Sequence, residues 1–486
     1  MESIWHRDFK DWQFPKVNNN LETKILIIGG GITGLIAAYE LKRNRKSFIL
    51  VDAKKLGRAV TANTTAQISI AHDQLPDEIK KKHGTKKAIE YLKDQVNGLN
   101  YLKEIIEKEQ INCDHKYEKT LLGANVTKNI KKLESIYELL KIADIPAKMI
   151  YYKDKLFTFL SALEFDNQLI INPIKYINGL INVLKNNELY EDSQVTDIIQ
   201  TEDGYEVVIN NKYKIKTEKI IMACHYPFTL NNFYFTKLYQ STSYAIAFKT
   251  KVKLKANYLS LDKPYYYLRT YDKNTLIIGG SDHYTGANQD IYHCYHDLAK
   301  KIYQIDSKAK VIYQWFNEDT MPLNYLPYVG HYSKDHPNII LMTGWQKWGF
   351  TNSHAAALKL TKLLNNKDYC PENLALTKNC LNYLRMVCHS VNGLVVSKLL
   401  IKSENLKNIK IESGKPIRYK GKNILVYRIS ENRYIFLKNK CTHMGCSLIW
   451  DDVDKLWISR CHGTVYDKFG KVIYGPGLKD LKKINS

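Results

Sequence analysis

The segment 24–42 constrains the fold most strongly, because it has the pattern of a strand, a glycine turn and a helix. Residues 25–28 form a short run of isoleucine and leucine, which is typical of a strand buried on both faces. Gly29, Gly31 and Gly34 follow in the G-x-G-x-x-G spacing. Such glycines allow a tight turn, the close approach of a pyrophosphate to the backbone, and close packing of helix against strand. The N-terminus of the helix then presents a partial positive charge to the phosphates.

A second strand pattern at 47–51 ends in Asp52, close to the position where an acidic residue binds a ribose hydroxyl in dinucleotide sites. The glycine spacing alone is a weak signal, and a glycine turn that serves only packing is the alternative. Strand, turn, helix, strand and acid in this order favour a dinucleotide site.

Length and charge limit the classes of protein that the chain can belong to. With 486 residues it should hold two or three domains, and its content of hydrophobic (44%) and charged (25%) residues is ordinary for a globular protein. The formal charge of +23 could indicate nucleic acid, an anionic membrane or acidic partners. Because lysine is spread along the whole chain, a compositional bias fits equally well, and a nucleic-acid partner is not favoured. The run at 80–82 is interpreted as a solvated helix face.

The sequence has no apolar segment of the kind that targets or spans membranes. Its N-terminus lacks an apolar core, and the longest apolar runs are interrupted by glycine or by charge. The nine cysteines are an odd number scattered over a long chain, which does not fit a secreted disulfide framework. We therefore expect no signal peptide, no membrane span and a cytoplasmic location.

The middle of the chain alternates strand and helix patterns. Residues 219–224 predict a buried strand, 241–280 a strand-rich insert and 315–330 a loop. A strand pattern at 339–342 then enters a glycine-containing loop at 344–349, which precedes a helix. The nucleotide-binding unit is thus expected to be interrupted by mixed α and β segments and to resume near the loop.

Five segments in this order resemble the FAD-dependent oxidoreductases of the D-amino-acid oxidase, glycine oxidase and sarcosine oxidase superfamily, over about residues 5–365. They are Ile27–Leu35, Asn63–Ala66, Met222–Phe228, Leu326–Gly330 and Gly344–Asn352. The resemblance implies an α/β FAD-binding Rossmann-like domain interleaved with an α+β substrate domain. Since only one G-x-G-x-x-G is present, reductases with paired domains for FAD and NAD(P)H are disfavoured.

The resemblance also implies which residues contact FAD. The glycine turn would contact the pyrophosphate, and Asp52 would contact the adenosine ribose. Val195 would contact the adenine end, and the loop 344–349 would lie near the isoalloxazine ring. The residues expected to contact FAD are Gly29, Gly31, Gly34, Asp52, Thr64, Thr65, Val195, Gly344, Trp345 and Gly349. Asp52 departs from the family, which more often has glutamate there. Thr64 and Thr65 belong to a loop of small and hydroxyl-bearing residues, for which a helix N-cap is the alternative interpretation.

The chemistry expected from the resemblance is removal of a hydride from a carbon that bears an amine, leaving an imine that water hydrolyses. Oxygen or a redox protein would accept the electrons. A substrate carboxylate would need an arginine or tyrosines, and Arg269 and Tyr267 are the candidates, with an ordinary pair on a sheet face as the alternative. His72 and His225 are further candidates close to the flavin, unless local hydrogen bonds already use them.

The C-terminal segment resembles a Rieske domain, whose 2Fe–2S centre needs two thiolates on one iron and two imidazoles on the other. Cys441 and His443 fit the first ligand loop, and His462 fits the last position of the second. Ser459 stands where the second loop should have a cysteine. The resemblance implies a small all-β domain over 406–486.

The remaining cysteines of this segment leave the metal site open. In related proteins the equivalents of Cys446 and Cys461 can pair with each other and are not iron ligands. Serine is a harder and far less acidic ligand than cysteine, whereas iron–sulfur sites favour soft thiolates. The alternatives are a weak serine-ligated cluster, a rearranged site that uses Cys461 or Cys446, and a domain that has lost its metal. A zinc site from Cys441, His443, Cys461 and His462 is disfavoured, because two adjacent ligands would strain to face one ion.

The sequence therefore predicts an arm (1–22), an oxidoreductase (23–365), a helical linker (366–405) and a Rieske-like domain (406–486). The expected substrate is a small amine or amino acid, and the C-terminal domain either relays electrons or is a structural remnant. Two other functions stay open. The first is an RNA-associated flavoprotein, since the chain is basic and some tRNA-modifying enzymes carry a related flavin domain. The second is a catalytically silent flavoprotein scaffold.

Overall fold

The computed structural model describes residues 2–228, 234, 236–287, 290–365, 387–388 and 390–484. The chain divides into two units. The first holds Met1–His225, Ser243–Asp282 and Tyr295–Ala375, and the second holds Tyr226–Thr242, His283–Cys294 and Leu376–Ser486. Most of the helical linker predicted for 366–405 lies outside the described residues. No helix among the described ranges is long and apolar enough to cross a membrane.

The two large sheets contain seventeen strands: β1 (Leu21–Ile28), β2 (Ile49–Val51), β3 (Gln67–Ile68), β4 (Lys116–Ala124), β5 (Lys148–Lys153), β6 (Thr158–Ile170), β7 (Glu188–Tyr190), β8 (Val195–Thr201), β9 (Gly204–Ile209), β10 (Tyr213–Met222), β11 (Leu238–Lys249), β12 (Asn257–Ser260), β13 (Tyr266–Asp272), β14 (Thr275–Tyr284), β15 (Lys310–Pro322), β16 (Tyr328–His331) and β17 (Ile339–Thr343). The helices that accompany them are α1 (Ile32–Arg43), α2 (Leu75–His83), α3 (Thr85–Lys108), α4 (Thr127–Ile142), α5 (Pro173–Leu184), α6 (Ile291–Ile305), α7 (Gly349–Leu358) and α8 (Leu360–Asn365), with 3-10 turns at His6–Asp8 and Val60–Asn63.

The eight-stranded sheet has the parallel arrangement that the glycine turn predicts. Its order is β16–β17–β10–β1–β2–β7, and β1 runs parallel to both β10 and β2. Residues Ile25–Ile28, at the end of β1, are buried, as expected for a strand covered on both faces. The carboxyl ends of β1, β2, β10 and β17 therefore lie at one edge of the sheet, which is where such folds bind nucleotides.

The nine-stranded sheet has the order β15–β11–β14–β13–β12–β4–β6–β3, with β5 beside β6. It contains the strand-rich insert predicted for 241–280, so the mixed α+β substrate part is confirmed. The loop predicted for 315–330 is wrong at both ends, because β16 begins at Tyr328 and β15 continues to Pro322. Polar residues occupy both faces of this strand, which hid its alternation from a reading of the sequence.

The second unit contains two small antiparallel sheets, which confirms the all-β C-terminal fold. The first has β18 (Ser413–Tyr419), β19 (Lys422–Ser430) and β20 (Arg433–Lys438), and the second has β21 (Leu448–Asp451), β22 (Leu456–Ser459), β23 (Val465–Asp467) and β24 (Val472–Tyr474). A π-helical turn (Asn392–Val396) and the short helix α9 (Ser397–Leu399) precede them.

Close packing of α3 on α7 predicts a strong effect of a small substitution at Gly98. A Cβ added there would lie 2.2 Å from the carbonyl oxygen of Thr351, so the two helices would have to separate. We expect Gly98→Ala to lower the free energy of unfolding by about 2 kcal/mol. Asn97→Ala, at the exposed neighbouring position, should change it by less than about 0.5 kcal/mol. Denaturant unfolding of both variants measures the difference, and equal stabilities would contradict it.

Candidate functional site

Two of the three glycines in the first turn are required by the packing of the protein itself. A Cβ on Gly34 would lie 1.8 Å from the carbonyl oxygen of Gly29, because α1 packs directly on the turn. Gly29 has a φ of +105°, and a Cβ there would lie 2.8 Å from the carbonyl oxygen of Ala223. These positions match the roles expected of the first and third glycines.

Gly31 is different, because the protein leaves room for a side chain there. A Cβ on Gly31 would meet only the hydroxyl of Thr61, at 3.4 Å, which is ordinary contact. Gly31 is also the N-cap of α1 and supplies no side-chain cap to it. A pyrophosphate that approaches the backbone at this helix end would explain the glycine, so the turn fits the FAD that the sequence predicts.

Asp52 fixes the shape of the glycine turn. Its two carboxylate oxygens accept hydrogen bonds from the backbone N–H groups of Gly30 and Lys54, each at 2.7 Å. Burial raises the pKa of Asp52 above its ordinary value. The contact of Asp52 with a ribose stays a prediction, as does that of Val195 with adenine; Val195 is buried at the start of β8.

Glu191 supports the same region and was not found from the sequence. Its buried carboxylate accepts from the backbone N–H of Leu56 at 2.9 Å and from Nζ of Lys55 at 2.8 Å. Glu191 is the residue immediately after β7, and nothing in the neighbouring sequence distinguishes it from an acidic residue on the surface. Only the folded structure brings Glu191 into contact with Lys55 and Leu56, which follow β2.

Arg269 holds the hydroxyl-rich loop instead of facing a substrate. The side chain is 2% exposed, and its guanidinium donates to the backbone carbonyls of Thr65 at 2.9 Å and Ile171 at 3.2 Å, and also to that of Ala66. Burial lowers the pKa of Arg269 to about 9. Because Nε and Nη1 of Arg269 donate to backbone carbonyls, the structure favours a positioning role over the substrate contact expected of this residue.

The arm before β1 also contacts this loop. The indole N–H of Trp5 donates to the carbonyl of Thr64 at 2.7 Å, and the hydroxyl of Thr64 accepts from the backbone N–H of Ala66 at 3.1 Å. The guanidinium of Arg269 lies 5.5 Å from the centre of the Trp5 ring. Thr64 and Thr65 are thus held rigidly where the resemblance expects FAD.

The loop 344–349 connects the glycine turn with the rest of the site. The indole N–H of Trp345 donates to the hydroxyl of Thr33, in the first turn of α1, at 3.0 Å. Gly344 has a φ of +79°, and a Cβ there would lie 2.7 Å from Pro322. Gln346 and Lys347 also have left-handed backbones, with φ of 49° and 73°. Strained residues of this kind often lie at functional sites.

Lys347 forms a charged group with three aspartates, Asp73, Asp282 and Asp319, which we name the Lys347 cluster. Its ammonium lies 2.9 Å from the carboxylate of Asp282. Burial raises the pKa of Asp73 and of Asp319 to about 6 each, although the charge of Lys347 acts in the opposite direction. The hydroxyl of Tyr267 lies close enough for Lys347 and Asp319 to act on its pKa, which burial raises. The cluster holds three carboxyl groups against one ammonium.

Several buried polar atoms of β3, β15 and the loop 344–349 have no hydrogen-bond partner within the described part of the chain. They are both amide atoms of Gln67, Nε2 of Gln346, Nε1 of Trp348 and both carboxyl oxygens of Glu318. Buried polar groups are normally paired, so a bound molecule with donors and acceptors would suit these positions. Burial also raises the pKa of Glu318 well above its ordinary value, which favours a protonated carboxyl group. FAD and a polar substrate fit this set of atoms.

His72 is a positioning residue in this structure. Its ring stacks on Trp348 at 4.2 Å, Nδ1 lies 2.5 Å from the hydroxyl of Tyr91, and Nε2 lies 3.2 Å from the hydroxyl of Thr351. Burial lowers the pKa of His72 to about 3, so the ring is neutral. Both ring nitrogens have partners in the protein, which fits the alternative that local hydrogen bonds use this histidine.

His225 lies three residues after the end of β10. Its backbone carbonyl accepts from the hydroxyls of Thr320 and Thr343, each at 2.8 Å, and Nε2 lies 3.2 Å from the hydroxyl of Thr320. These bonds join the ends of β10, β15 and β17. A direct role of His225 in catalysis stays a prediction.

Comparison with known proteins identifies the first unit. Residues 24–363, well over half of the chain, match the family model described as FAD dependent oxidoreductase. The chain belongs to this family. Residues 399–485 of this FAD-dependent oxidoreductase match the model described as Rieske [2Fe-2S] domain. The fold, the FAD cofactor and the two-part family resemblance predicted from the sequence are thereby confirmed.

Individual relatives agree with this assignment. The oxidoreductase is 28% identical over 502 residues to "Putative Rieske 2Fe-2S iron-sulfur protein YhfW" of Bacillus subtilis (strain 168), an alignment that covers 100% of this chain and 97% of that one. It is 23% identical to gamma-glutamylputrescine oxidoreductase of Escherichia coli (strain K12), over 72% of this chain and 85% of that one. The crystal structure of glycine oxidase from Geobacillus kaustophilus superposes with a TM-score of 0.60 at 14% identity, covering 74% of this chain and 99% of that one, and so shares its fold.

The ligand loops of the Rieske-type domain are folded, but their ligand set is incomplete. The rings of His443 and His462 lie 5.0 Å apart, and Sγ of Cys441 lies 3.4 Å from the hydroxyl of Tyr466. Ser459 is buried in the fourth position. Two thiolates for one iron are therefore not available from the expected positions.

A disulfide joins Cys446 and Cys461, as the resemblance implies. Neither sulfur is then free to replace the missing ligand, which argues against the rearranged iron site and against a zinc site that uses Cys461.

The two kinds of glycine in the first turn predict two different outcomes of substitution. Gly31→Ala should leave the free energy of unfolding of the apoprotein within about 0.5 kcal/mol of wild type, since the protein has room for the methyl group. It should nevertheless weaken FAD binding by about tenfold or more, because the methyl group occupies the expected position of the pyrophosphate. Gly34→Ala should instead cost about 2 kcal/mol of stability and lose FAD as well. Unfolding curves and FAD titrations separate the two, and tight FAD binding by Gly31→Ala would contradict the assignment.

Proposed function

We propose that this protein catalyses the FAD-dependent oxidation of a cationic amine that carries no carboxylate next to the amine. The observation that carries the proposal is the Lys347 cluster, in which three carboxyl groups outnumber one ammonium. Such a site attracts a positive group and repels an anionic one. The arginine expected to bind a substrate carboxylate, Arg269, is committed to backbone carbonyls.

The proposed reaction balances with a substrate ammonium as the starting species. The ammonium first loses one proton to solvent. The neutral amine then loses a hydride from the adjacent carbon, which leaves an iminium cation. Water hydrolyses this cation to a carbonyl compound and ammonia or a smaller amine. When bound, FAD supplies the hydride acceptor. Both the substrate ammonium and the iminium product are cations. Carboxylates beside them therefore favour substrate binding and also stabilise the positive charge that develops as the hydride leaves.

Within this scheme the residues of the chain bind and orient. Asp73 and Asp319 supply the negative charge, and Asp282 neutralises Lys347 at 2.9 Å. Arg269 and Trp5 hold the threonine loop against FAD, and the strained loop 344–349 fixes the lysine. The name of the relative gamma-glutamylputrescine oxidoreductase supports an amine as substrate. Oxygen or a redox protein is the proposed acceptor of the electrons.

Anaerobic bleaching of the flavin tests the proposed substrate class with matched pairs. Putrescine and ornithine differ by one α-carboxylate, as do isobutylamine and valine. We expect the amine of each pair to bleach the flavin at least about tenfold faster, since repulsion of about 1.4 kcal/mol already gives that factor. Faster bleaching by the amino acids would overturn the proposal. Bleaching by neither class would favour the catalytically silent scaffold. In a separate binding experiment, steeply salt-dependent retention of the protein on RNA would favour the RNA-associated alternative.

The pKa values of Asp73 and Asp319 predict a change in the pH profile. Both carboxyl groups have a pKa of about 6, so they are charged above pH 6 and become neutral below it. We expect kcat/KM for an amine to fall more steeply as the pH decreases through 6, because the attraction for the substrate cation is lost. Deprotonation of the amine itself changes kcat/KM over the whole range, so the change of slope near pH 6 is the quantity to measure.

Asp319→Asn should reduce that change of slope and lower kcat/KM at pH 7 by about tenfold. Asp166→Asn is the matched control, because Asp166 is an exposed aspartate of the same unit and should retain the wild-type profile. An unchanged slope in Asp319→Asn would remove this carboxylate from the proposed site.

A further inference from the structure

We propose that the Rieske-type domain of this protein binds no 2Fe–2S cluster, and that Ser459 is the single residue that prevents it. The other three ligand residues, Cys441, His443 and His462, are present at the expected sequence positions. A single substitution, Ser459→Cys, should therefore create a cluster in a domain that has none. The inference does not depend on which substrate the first unit oxidises.

The second ligand loop is folded into a closed turn around the missing ligand. The backbone N–H of Ser459 donates to the carbonyl of Thr464 at 2.8 Å, and the N–H of Gly463 donates to the carbonyl of Ser459 at 3.2 Å. Gly463 has a φ of +71°, a left-handed conformation that glycine adopts without strain. His462 lies within this turn, so the positions of the third and fourth ligands are fixed by backbone hydrogen bonds.

The first ligand loop is equally well defined. The N–H of Cys441 donates to the carbonyl of Cys446 at 2.8 Å, and the N–H of Gly445 donates back to the carbonyl of Cys441 at 2.9 Å. The hydroxyl of Tyr466 accepts from the backbone N–H of Thr442 at 3.0 Å. Cys441 and His443 are therefore held by contacts that need no metal.

The disulfide between Cys446 and Cys461 joins the two loops to each other. The carbonyl of Cys461 also accepts from the hydroxyl of Tyr284 at 3.1 Å, within the same unit. The covalent link keeps the loops facing each other when no metal does so. It also uses the two sulfurs that could have replaced the missing thiolate.

The side chain of Ser459 has the properties of a residue in a vacated ligand position. It is 1% exposed, and its hydroxyl has no hydrogen-bond partner in the described chain. Burial of an unpaired hydroxyl is unfavourable, so the fold itself gives no reason for serine there. As an iron ligand, the hydroxyl would have to lose a proton that it holds far more tightly than a thiol does, and it would offer iron a hard donor in place of a soft one.

Iron, sulfide and spectroscopic measurements on the full-length protein test the inference. Wild type and Ser459→Cys are purified without oxygen and incubated with ferrous iron and sulfide under the same conditions. We expect wild type to retain flavin absorbance alone and no stoichiometric iron. Ser459→Cys should retain about two irons and two acid-labile sulfides per chain and give the electron paramagnetic resonance signal of a reduced Rieske centre.

Two controls show whether the site, and not the added thiol, is responsible. Ser430→Cys places a cysteine in the same domain outside the ligand loops and should bind no cluster. The double variant with His462→Ala should lose the Rieske signal, because one iron then lacks an imidazole. A thermal melt of each variant confirms that the domain is folded.

Two results would overturn the inference. Stoichiometric iron with a Rieske signal in wild type would show that serine, or another residue, completes the site; this measurement does not depend on the folding of any variant. A folded Ser459→Cys protein without a cluster would show that Ser459 is not the only missing element.

Discussion

The rest of the first unit depends on the close approach of α1 to the turn that follows β1. Gly34 lies so near the carbonyl of Gly29 that only glycine fits, and this contact brings the N-terminus of α1 to the carboxyl end of the parallel sheet. Thr33, in the same helical turn, bonds to Trp345 at 3.0 Å and to Ser353 at 2.8 Å. One backbone contact thus fixes the phosphate end of the site and also the loop expected near the flavin ring.

The loop 344–349 contributes Lys347 to a cluster of charged side chains in a region where uncharged side chains would be more favourable for stability. Buried charges cost free energy unless they are paired, and Asp282 pairs with Lys347. Burial raises the pKa of the additional carboxyl groups of Asp73 and Asp319, and the charge of Lys347 acts against that rise. A cationic substrate would relieve this imbalance, which is why the excess of carboxyl groups is better explained by a ligand than by stability.

The sequence predicted the parts of this structure that rest on local chemistry. The glycine turn, the buried strands and both ligand loops carry short-range signals, because turn geometry and ligand spacing are set within a few residues. The Lys347 cluster could not be predicted, since its aspartates lie in three separate segments that only the fold brings together. Arg269 was misjudged for a similar reason: its type suggested a substrate contact, whereas its burial among backbone carbonyls depends on the loop 64–66. Asp319 was hidden because its strand, β15, resembled a loop.

The proposed absence of a cluster requires that the C-terminal domain folds without one. Metal binding and folding are usually coupled, so loss of a ligand in a domain without other support would unfold it. Here Trp457 and Tyr466 are buried in the hydrophobic core of the domain. The disulfide closes a loop with a sequence separation of 15, a constraint worth about 3 kcal/mol in the chain-entropy description. With this support in place, we expect serine at 459 to prevent the cluster and to leave the structure of the domain intact. Electrons removed from a substrate would then leave directly from the flavin to the acceptor.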